Sequence, residues 1–444
     1  MLIRFNTSNF LSFNEVSEFS MIANQERRKP SHLYKGNSLS ILKTGILYGA
    51  NASGKSNFIK AIDFSQRVIL SGIDKVDPIN CHYRLKDGNE LLPSTFQYEI
   101  MVEGKCYNYG FAAILKDNLI IEEWLLEISA KGEKKIFERF RDDQGTHHIE
   151  FGISLKGKAK IRFDVYREDF AKSDSTLFLN EINRKSLEGL SEAKYFQSVY
   201  KWFDHKLTVL FPQSKFKGLS FIGDDNEMAQ SFNSFLSIFQ TGIHGVTSEE
   251  MDLDSFELPK KMKDELSSKI VENEIIIFEF NEISYALERG DQNKYKVKKL
   301  GLEHLSDQGK AVVFDMIDES DGTQRLFDFI PALKSLASSD SVFLIDEIDR
   351  SLHSKLTYAI IELFLDISKN NQSQLVVTTH ESLLLDLDLL RRDEIWFVEK
   401  NSNQSRLFSL DEFKVRNDKK INKDYLLGRY GAIPIFKSFK NLNI

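Results

Sequence analysis

Gly45-Ile-Leu-Tyr-Gly49-Ala50-Asn51-Ala52-Ser53-Gly54-Lys55-Ser56-Asn57 is an apolar stretch that runs into a polar loop bracketed by glycines and closed by Lys-Ser. From Lys55 to about Val68 the apolar residues recur at helical spacing, so the loop lies between a strand and a helix. That order builds an anion cradle. The N–H groups of Ala50, Asn51, Ala52 and Ser53, together with the helix N-terminus, converge on a β-phosphate. Gly49 and Gly54 let the backbone approach the ligand. Lys55 is placed to reach the β- and γ-phosphates of ATP, Ser56 to ligate Mg²⁺, and Asn57 follows on the first helical turn.

A phosphate loop alone does not specify the kind of nucleotide machine. The second half narrows it. Val342-Phe-Leu-Ile-Asp346-Glu347 is an apolar strand ending in two acids. The first acid, Asp346, suits Mg²⁺; the second, Glu347, suits the water that attacks a γ-phosphate. Leu119-Ile-Ile-Glu122-Glu123 and Ile275-Ile-Ile-Phe-Glu279 are also apolar runs ending in acids. They sit where the pattern alternates like antiparallel sheet, and read as strand ends. Lys55 and Asp346 lie about 290 residues apart, far more than a small kinase or minimal GTPase needs, so the domain is read as split by an insertion. Ahead of the acid pair, Glu319-Ser320-Asp321-Gly322-Thr323-Gln324-Arg325 is a polar turn opening a helix. After it, the strand Gln374-Leu-Val-Val-Thr-Thr ends in His380.

The remaining pattern is β-rich, then helical, then alternating, which predicts an α/β core with an insertion. Strands are expected at Leu2–Phe5, Asn9–Phe19 and Ser40–Tyr48, and largely β structure from Phe96 to Phe163, including Lys160-Ile-Arg-Phe-Asp-Val. Helices are expected over Leu177 to about Leu210 and Asn226–Phe239, strands over Glu274–Leu287, and a helix over Gln324–Leu336. The strand Ser341–Ile345, the helix Lys355–Ile367 and the strand Gln374–Thr378 follow.

The composition sets limits. The chain has 444 residues, 41% hydrophobic with 35 Phe, enough for a large core in two or three domains. Its apolar runs are too short for a membrane span, and MLIRFNTSNFLSF does not read as a signal peptide. Cys81 and Cys106 cannot build a disulfide framework or metal cluster by themselves, so a cytoplasmic protein without a membrane role is expected. A net charge of −7 leaves nucleic acid only local basic stretches: Arg27-Arg28-Lys29, the Lys156/Lys158/Lys160/Arg162 alternation, and Lys294 to Lys299. Lys185 to Glu272 lacks a sustained heptad, so no long coiled coil is expected. The tail after Trp396 is too short for a nuclease domain.

Gly49 to Ser56, Ser320-Asp-Gly322, Asp346-Glu347, Asp349-Arg-Ser-Leu-His353 and Thr378-Thr-His380 together resemble an ABC-type ATPase of the RecF/SMC/overcoming-lysogeny branch. Asn9-Phe-Leu-Ser-Phe13, Glu319 to Arg325 and Gly428-Arg-Tyr-Gly-Ala-Ile-Pro434 resemble, more narrowly, the stand-alone ATPases of bacterial anti-phage and abortive-infection systems. The likeness spans Met1 to Pro434 and is loosest over Lys185 to Glu272. It implies a split α/β head: an N-terminal lobe (1–184), a compact helical insertion (185–272), a C-terminal lobe (273–400) and a tail packed on the head (401–444). It further implies ATP and Mg²⁺ as ligands, and a homo-oligomer, at least a dimer, joined through the ATP sites. Ser320 and the Gly322 N–H would act on the γ-phosphate held by the other subunit, His380 would sense that phosphate, and Asp349 would communicate across the dimer. The implied role is regulation of a separate effector, a nuclease; the alternative is a RecF-like ATPase acting on DNA. Ser-Asp-Gly departs from the common Ser-Gly-Gly and puts a carboxylate beside the site. The glutamine-bearing loop of such heads stays open between Gln97 and Leu177 to Asn183.

Overall fold

The computed structural model describes residues 1–36, 39–185, 189–213, 226–239, 241–270, 275–281, 283–289, 294–415 and 420–433. Along the chain, β1 (Leu2–Ser8), β2 (Ser17–Ser20), β3 (Leu33–Lys35), β4 (Ser40–Leu42) and β5 (Thr44–Tyr48) lead into α1 (Lys55–Ser71). Then come β6 (Ser94–Val102), β7 (Lys105–Ile114), β8 (Leu119–Ser129), β9 (Gly132–Arg141) and β10 (His147–Phe151). Three helices, α2 (Gly157–Phe170), α3 (Phe178–Arg184) and α4 (Lys194–Lys201), precede β11 (Leu207–Leu210). Next are α5 (Asn226–Ile238), β12 (Gly245–Asp252), α6 (Lys260–Lys269), β13 (Ile275–Phe280), β14 (Ile283–Arg289), β15 (Tyr295–Leu305), β16 (Ala311–Asp315) and α7 (Asp321–Ser338). The chain closes with β17 (Val342–Ile345), α8 (Ser354–Ile367), β18 (Gln374–Thr378), β19 (Ile395–Asn401), β20 (Gln404–Ser409) and α9 (Ile421–Leu426).

These elements form two units. The first gathers Met1–Pro212, Ser339–Ile348 and Ile361–Ile444; the second, Gln213–Ser338 and Asp349–Ile360. In the first, β11-β17-β18-β5-β19-β20 make a sheet that is parallel except at β20. Its inner strands are continuous apolar runs because both faces are covered, and the described side chains of β5, β17 and β18 are all buried. Strands from both ends of the sequence interleave, so the α/β core is split as its spacing predicts. Ile46 pairs with Val377, which pairs with Ile345. The C-terminal ends of β5, β17 and β18 therefore line up at one edge, where an open α/β sheet places its ligand.

A second, antiparallel sheet, β10-β9-β8-β7-β6-β1-β2, completes this unit. Phe58, Ile59 and Ile62 of α1 share one core with Phe5, Phe96 and Tyr98 of that sheet and with Leu47, Val376 and Val398 of the parallel one. The helix carrying the phosphate loop is thus held by both sheets. Residues beyond β19 pack here as well: Tyr425 and Tyr430 stack on Phe397 at 5.5 and 5.8 Å. Pro434 lies outside the described residues.

Several expectations change. Lys160 to Val165 is helical, within α2; Ala159, Phe163 and Phe170, spaced four and seven apart, are its buried residues, and the alternating charges are not a strand face. Leu207–Leu210, expected to be helical, is a parallel strand beside β17, because a short apolar run alone does not separate strand from helix. Asn9–Phe13 is not strand but a tight reversal. Phe10 and Phe13 exchange backbone hydrogen bonds of 2.9 and 2.8 Å, with Asn9 and Leu11 left-handed (φ 50° and 47°). Glu123 is not at a strand end but inside β8, where it is fully buried and faces Arg139 at 3.7 Å. The compact segment expected over 185–272 divides elsewhere: α4 and β11 belong to the first unit, and the second begins at Gln213.

That second unit is not purely helical. It holds an antiparallel sheet, β12-β15-β14-β13 with β16 added on β15. Phe232, Leu236, Ile243, Leu302, Phe327 and Ile330 form one small core; Leu253, Phe278, Tyr285, Leu287 and Val297 anchor another. Among the described residues, no helix is long and apolar enough to cross a membrane.

Candidate functional site

At the end of β5 the chain leaves the sheet, turns through Gly49–Ser53 and enters α1. Ala52 is left-handed (φ 62°) and Gly54 more so (φ 113°), a conformation strained for any residue with a Cβ. A Cβ on Gly54 would also overlap Ser405 Oγ. Lys55 is buried, and its ammonium donates to Gly49 O at 2.8 Å and Ala50 O at 3.2 Å. It lies folded along the loop, within the cradle whose phosphates it is placed to meet.

The acids stand directly opposite. Asp346, buried, follows β17, and its N–H donates to Leu210 O on β11 at 2.9 Å. Ser56 Oγ donates to Asp346 Oδ1 at 3.2 Å. Thr378 Oγ1 donates to the same Oδ1 at 2.5 Å and accepts the Glu347 N–H at 2.8 Å. One hydroxyl from β18 thus holds the Asp346 carboxylate and the Glu347 backbone. Glu347 is left-handed (φ 48°) and partly exposed, next to the buried Asp346. The Ser56 hydroxyl on the first turn of α1 and the Asp346 carboxylate just past β17 are the hard oxygen donors that Mg²⁺ takes, and the residues present fit that ion. His380, exposed, lies two residues beyond β18, and the Thr379 N–H between them donates to Leu47 O at 3.1 Å. The structure therefore brings together Gly49 to Asn57, Asp346 and Glu347, with His380 following the neighbouring strand.

Two residues outside the expected site, Ser12 and Ser405, brace the loop. Asn57 Nδ2 donates to Ser12 Oγ at 2.9 Å, and Ser405 Oγ stands 2.8 Å from Ser12 Oγ and 2.6 Å from Ser53 O. The reversal that presents Ser12 is pinned through Asn9, whose amide donates to Asn89 O and Leu92 O, each at 2.9 Å. At the far end of α1, Asn180 Nδ2 of α3 donates to Leu70 O at 2.5 Å. The N-terminus of α3 is held in turn by Glu123, which accepts the Phe178 and Leu179 N–H groups at 2.6 and 2.9 Å. Burial pushes the Glu123 carboxyl up and Arg139 down to about 10. His147, also buried and facing Arg139, is lowered to about 4. Gln97 lies on β6 and bonds Asn6 and Asn108 at 3.2 and 3.1 Å.

Ser320, Gly322 and Asp349 belong to the second unit. Ser320 precedes α7 and caps it: its Oγ accepts the Thr323 N–H at 3.2 Å and meets Thr323 Oγ1 at 2.9 Å. A Cβ on Gly322 would come within 2.7 Å of Ser351 O, so the turn requires glycine there. Ser320 and Asp321 are both exposed. Asp349 O accepts the Leu352 N–H at 3.1 Å. Of the residues not singled out from sequence, Ser12 lay within a quoted motif and Thr378 within another. Ser405 carried no local signal, because only the β19–β20 hairpin brings it to the loop.

The phosphate loop on a split parallel sheet, facing an Asp-Glu pair, defines a P-loop ATPase of the ABC type that resembles the abortive-infection ATPases. Residues 46–386 match the family described as "AAA domain, putative AbiEii toxin, Type IV TA system", and the chain belongs to that family. No curated protein matches the sequence significantly. Among solved structures, the SMC head domain from Thermotoga maritima is similar with a TM-score of 0.38 and 13% identity, covering 92% of this chain and 98% of that one. An SmcHead bound to the C-winged helix domain of ScpA gives 0.36 and 13%, covering 92% and 97%. Both likenesses are remote.

Proposed function

We propose that this chain binds Mg–ATP in the loop Gly49–Ser56 and hydrolyses it only when the Ser320–Gly322 turn of a second copy closes the site. The observation that supports the reading is the Ser56–Asp346–Thr378–Glu347 chain of hydrogen bonds, which joins the Ser56 hydroxyl, the Asp346 carboxylate and the Glu347 backbone at one sheet edge. Bound Mg²⁺ would neutralise charge on the β- and γ-phosphates, held between Ser56 and Asp346. Lys55 moves from the loop carbonyls onto the phosphate oxygens. Glu347 orients the attacking water and accepts its proton, while Thr378 keeps the Glu347 backbone in place. Ser320 Oγ and the Gly322 N–H of the second copy supply donors to the developing charge, and His380 follows the γ-phosphate from the neighbouring strand. Asp349 relays closure between copies.

Two ATP-dependent states give such a protein something to transmit, and its target is a separate effector, a nuclease, in an anti-phage response. The family's description as a toxin of a type IV toxin–antitoxin system supports a setting of that kind. The Lys294 to Lys299 stretch does not favour direct DNA binding: Lys296, Lys298 and Lys299 are paired with Glu250, Glu288 and Asp315.

Mixing two defective chains tests the shared site. Lys55→Ala keeps an intact turn, and Ser320→Arg keeps an intact phosphate loop. Each alone should be inactive, and the mixture should recover a substantial fraction of wild-type hydrolysis. A mixture as dead as its components contradicts the shared site.

A further inference from the structure

One imidazole in the second unit bears on the Ser320–Gly322 turn from outside it. His304, near the end of β15, places its Nε2 2.6 Å from Glu319 Oε1. Glu319 is the residue immediately before Ser320. Both partners are largely withdrawn from solvent, with side chains 27% and 10% exposed, and Phe314 of β16 packs edge-on to the imidazole at 4.9 Å. The Glu319 carbonyl accepts Gln324 Nε2 at 3.0 Å, and the Ser320 carbonyl accepts the Gln324 N–H at 2.9 Å. The hydrogen bonds of Ser320 with Thr323 lie within the turn itself. Such local bonds define the turn's shape but not where it stands on the sheet. The His304–Glu319 contact supplies that. It joins the turn to a strand fifteen residues upstream, and a hydrogen bond with an ionised carboxylate is among the strong, directional ones.

We infer that His304 is a positioning residue for the signature turn: through Glu319 it sets the direction in which Ser320 Oγ and the Gly322 N–H face a second copy. The inference rests on the shared-site reading above. It assigns His304 no contact with nucleotide. Its loss therefore damages the turn's half of the site and leaves the phosphate-loop half of the same chain intact.

The test uses the full-length chain. His304→Ala should lower turnover about tenfold or more, with binding of a fluorescent ATP analogue by the single chain unchanged. His304→Gln, whose amide nitrogen reaches close to the position of Nε2, should restore most of the activity. Mixing then separates this role from general damage. His304→Ala should recover activity with Lys55→Ala, which contributes a sound turn, and none with Ser320→Arg. Glu319→Ala approaches the same contact from the other side and should give the same pattern. The double variant should be no worse than the poorer single one, as coupled partners require. Wild-type turnover in His304→Ala, or recovery with Ser320→Arg in place of Lys55→Ala, overturns the inference. If His304→Ala does not fold, Glu319→Ala and His304→Gln carry the test unaided; normal turnover in Glu319→Ala overturns it equally. Failure of the Lys55→Ala and Ser320→Arg mixture marks failure of the shared site itself, and the inference falls with it.

Discussion

The phosphate-loop side and the signature-turn side are built in opposite ways. On the first, functional atoms are joined across hundreds of residues, Ser56 to Asp346 and Ser12 to Ser405, and Thr378 reaches Asp346 from the neighbouring strand. Lys55 and Asp346 are buried, and α1 is gripped by two sheets. On the second, Ser320 is exposed, its bonds with Thr323 are local, and His304 of β15 meets Glu319 beside it. The first is preorganised by a core, as binding and chemistry require. The second is an exposed surface, and on the shared-site reading it is the part that faces a second copy. The difference teaches that damage to the two halves should differ in kind: one abolishes nucleotide handling within a chain, the other spoils what a chain offers to a neighbour.

The largest effect should come from Asp346→Ala, which removes the acid that Ser56 and Thr378 both address; Mg²⁺-dependent hydrolysis should fall by about 1000-fold or more, read in a phosphate-release assay. Gly54→Ala breaks the same half through the backbone. With φ at 113° and Ser405 Oγ in the way, it should abolish ATP binding by calorimetry and cost about 2 kcal/mol of stability. Ser320→Arg is the contrasting case, losing turnover about 100-fold while calorimetry finds single-chain ATP binding unchanged. Loss of binding there would erase the distinction between the halves. Thr378→Val keeps the shape of β18 and removes only the bridging hydroxyl. Turnover should drop about 10- to 100-fold with melting temperature little changed.

The smallest effect is on stability alone. His147 Nδ1 accepts from Arg139 Nε at 3.2 Å and Nε2 meets Asp174 Oδ1 at 3.0 Å, an arrangement that suits the neutral ring. Burial and the guanidinium hold its pKa at about 4, below the ordinary 6.5. The unfolded chain therefore takes up a proton that the folded one refuses, and stability should fall as pH drops from 6.5 to 4 and level off below. The loss should be about 1–3 kcal/mol by denaturant melts, and His147→Gln should flatten that window.

How much of this was legible in the sequence follows from what each element depends on. The phosphate loop and Asp346-Glu347 were readable because their chemistry is local: a strand, a turn and a few fixed residue types. The parallel strands β5, β17 and β18 were readable as apolar runs, and their interleaving followed from the long interval between Lys55 and Asp346. The strand β11 was not, because four residues, three of them apolar, carry no periodicity of their own, and the partner that makes them a strand lies at Val342–Ile345. The helix α2 was hidden by charges that happen to alternate. Ser405 and His304 were missed for the same reason: each acts on a residue brought to it by a sheet, and neither stands in a motif. Glu123 was misread as a strand end, since the buried Arg139 that makes an interior carboxylate tolerable lies on the next strand.

Light scattering on Glu347→Gln tests the account most directly. Without the carboxylate that orients water, the variant should bind ATP, fail to turn it over, and elute with twice the single-chain mass in ATP and the single-chain mass in ADP. A Glu347→Gln chain that stays single with ATP bound, or that hydrolyses ATP at the wild-type rate, would contradict it.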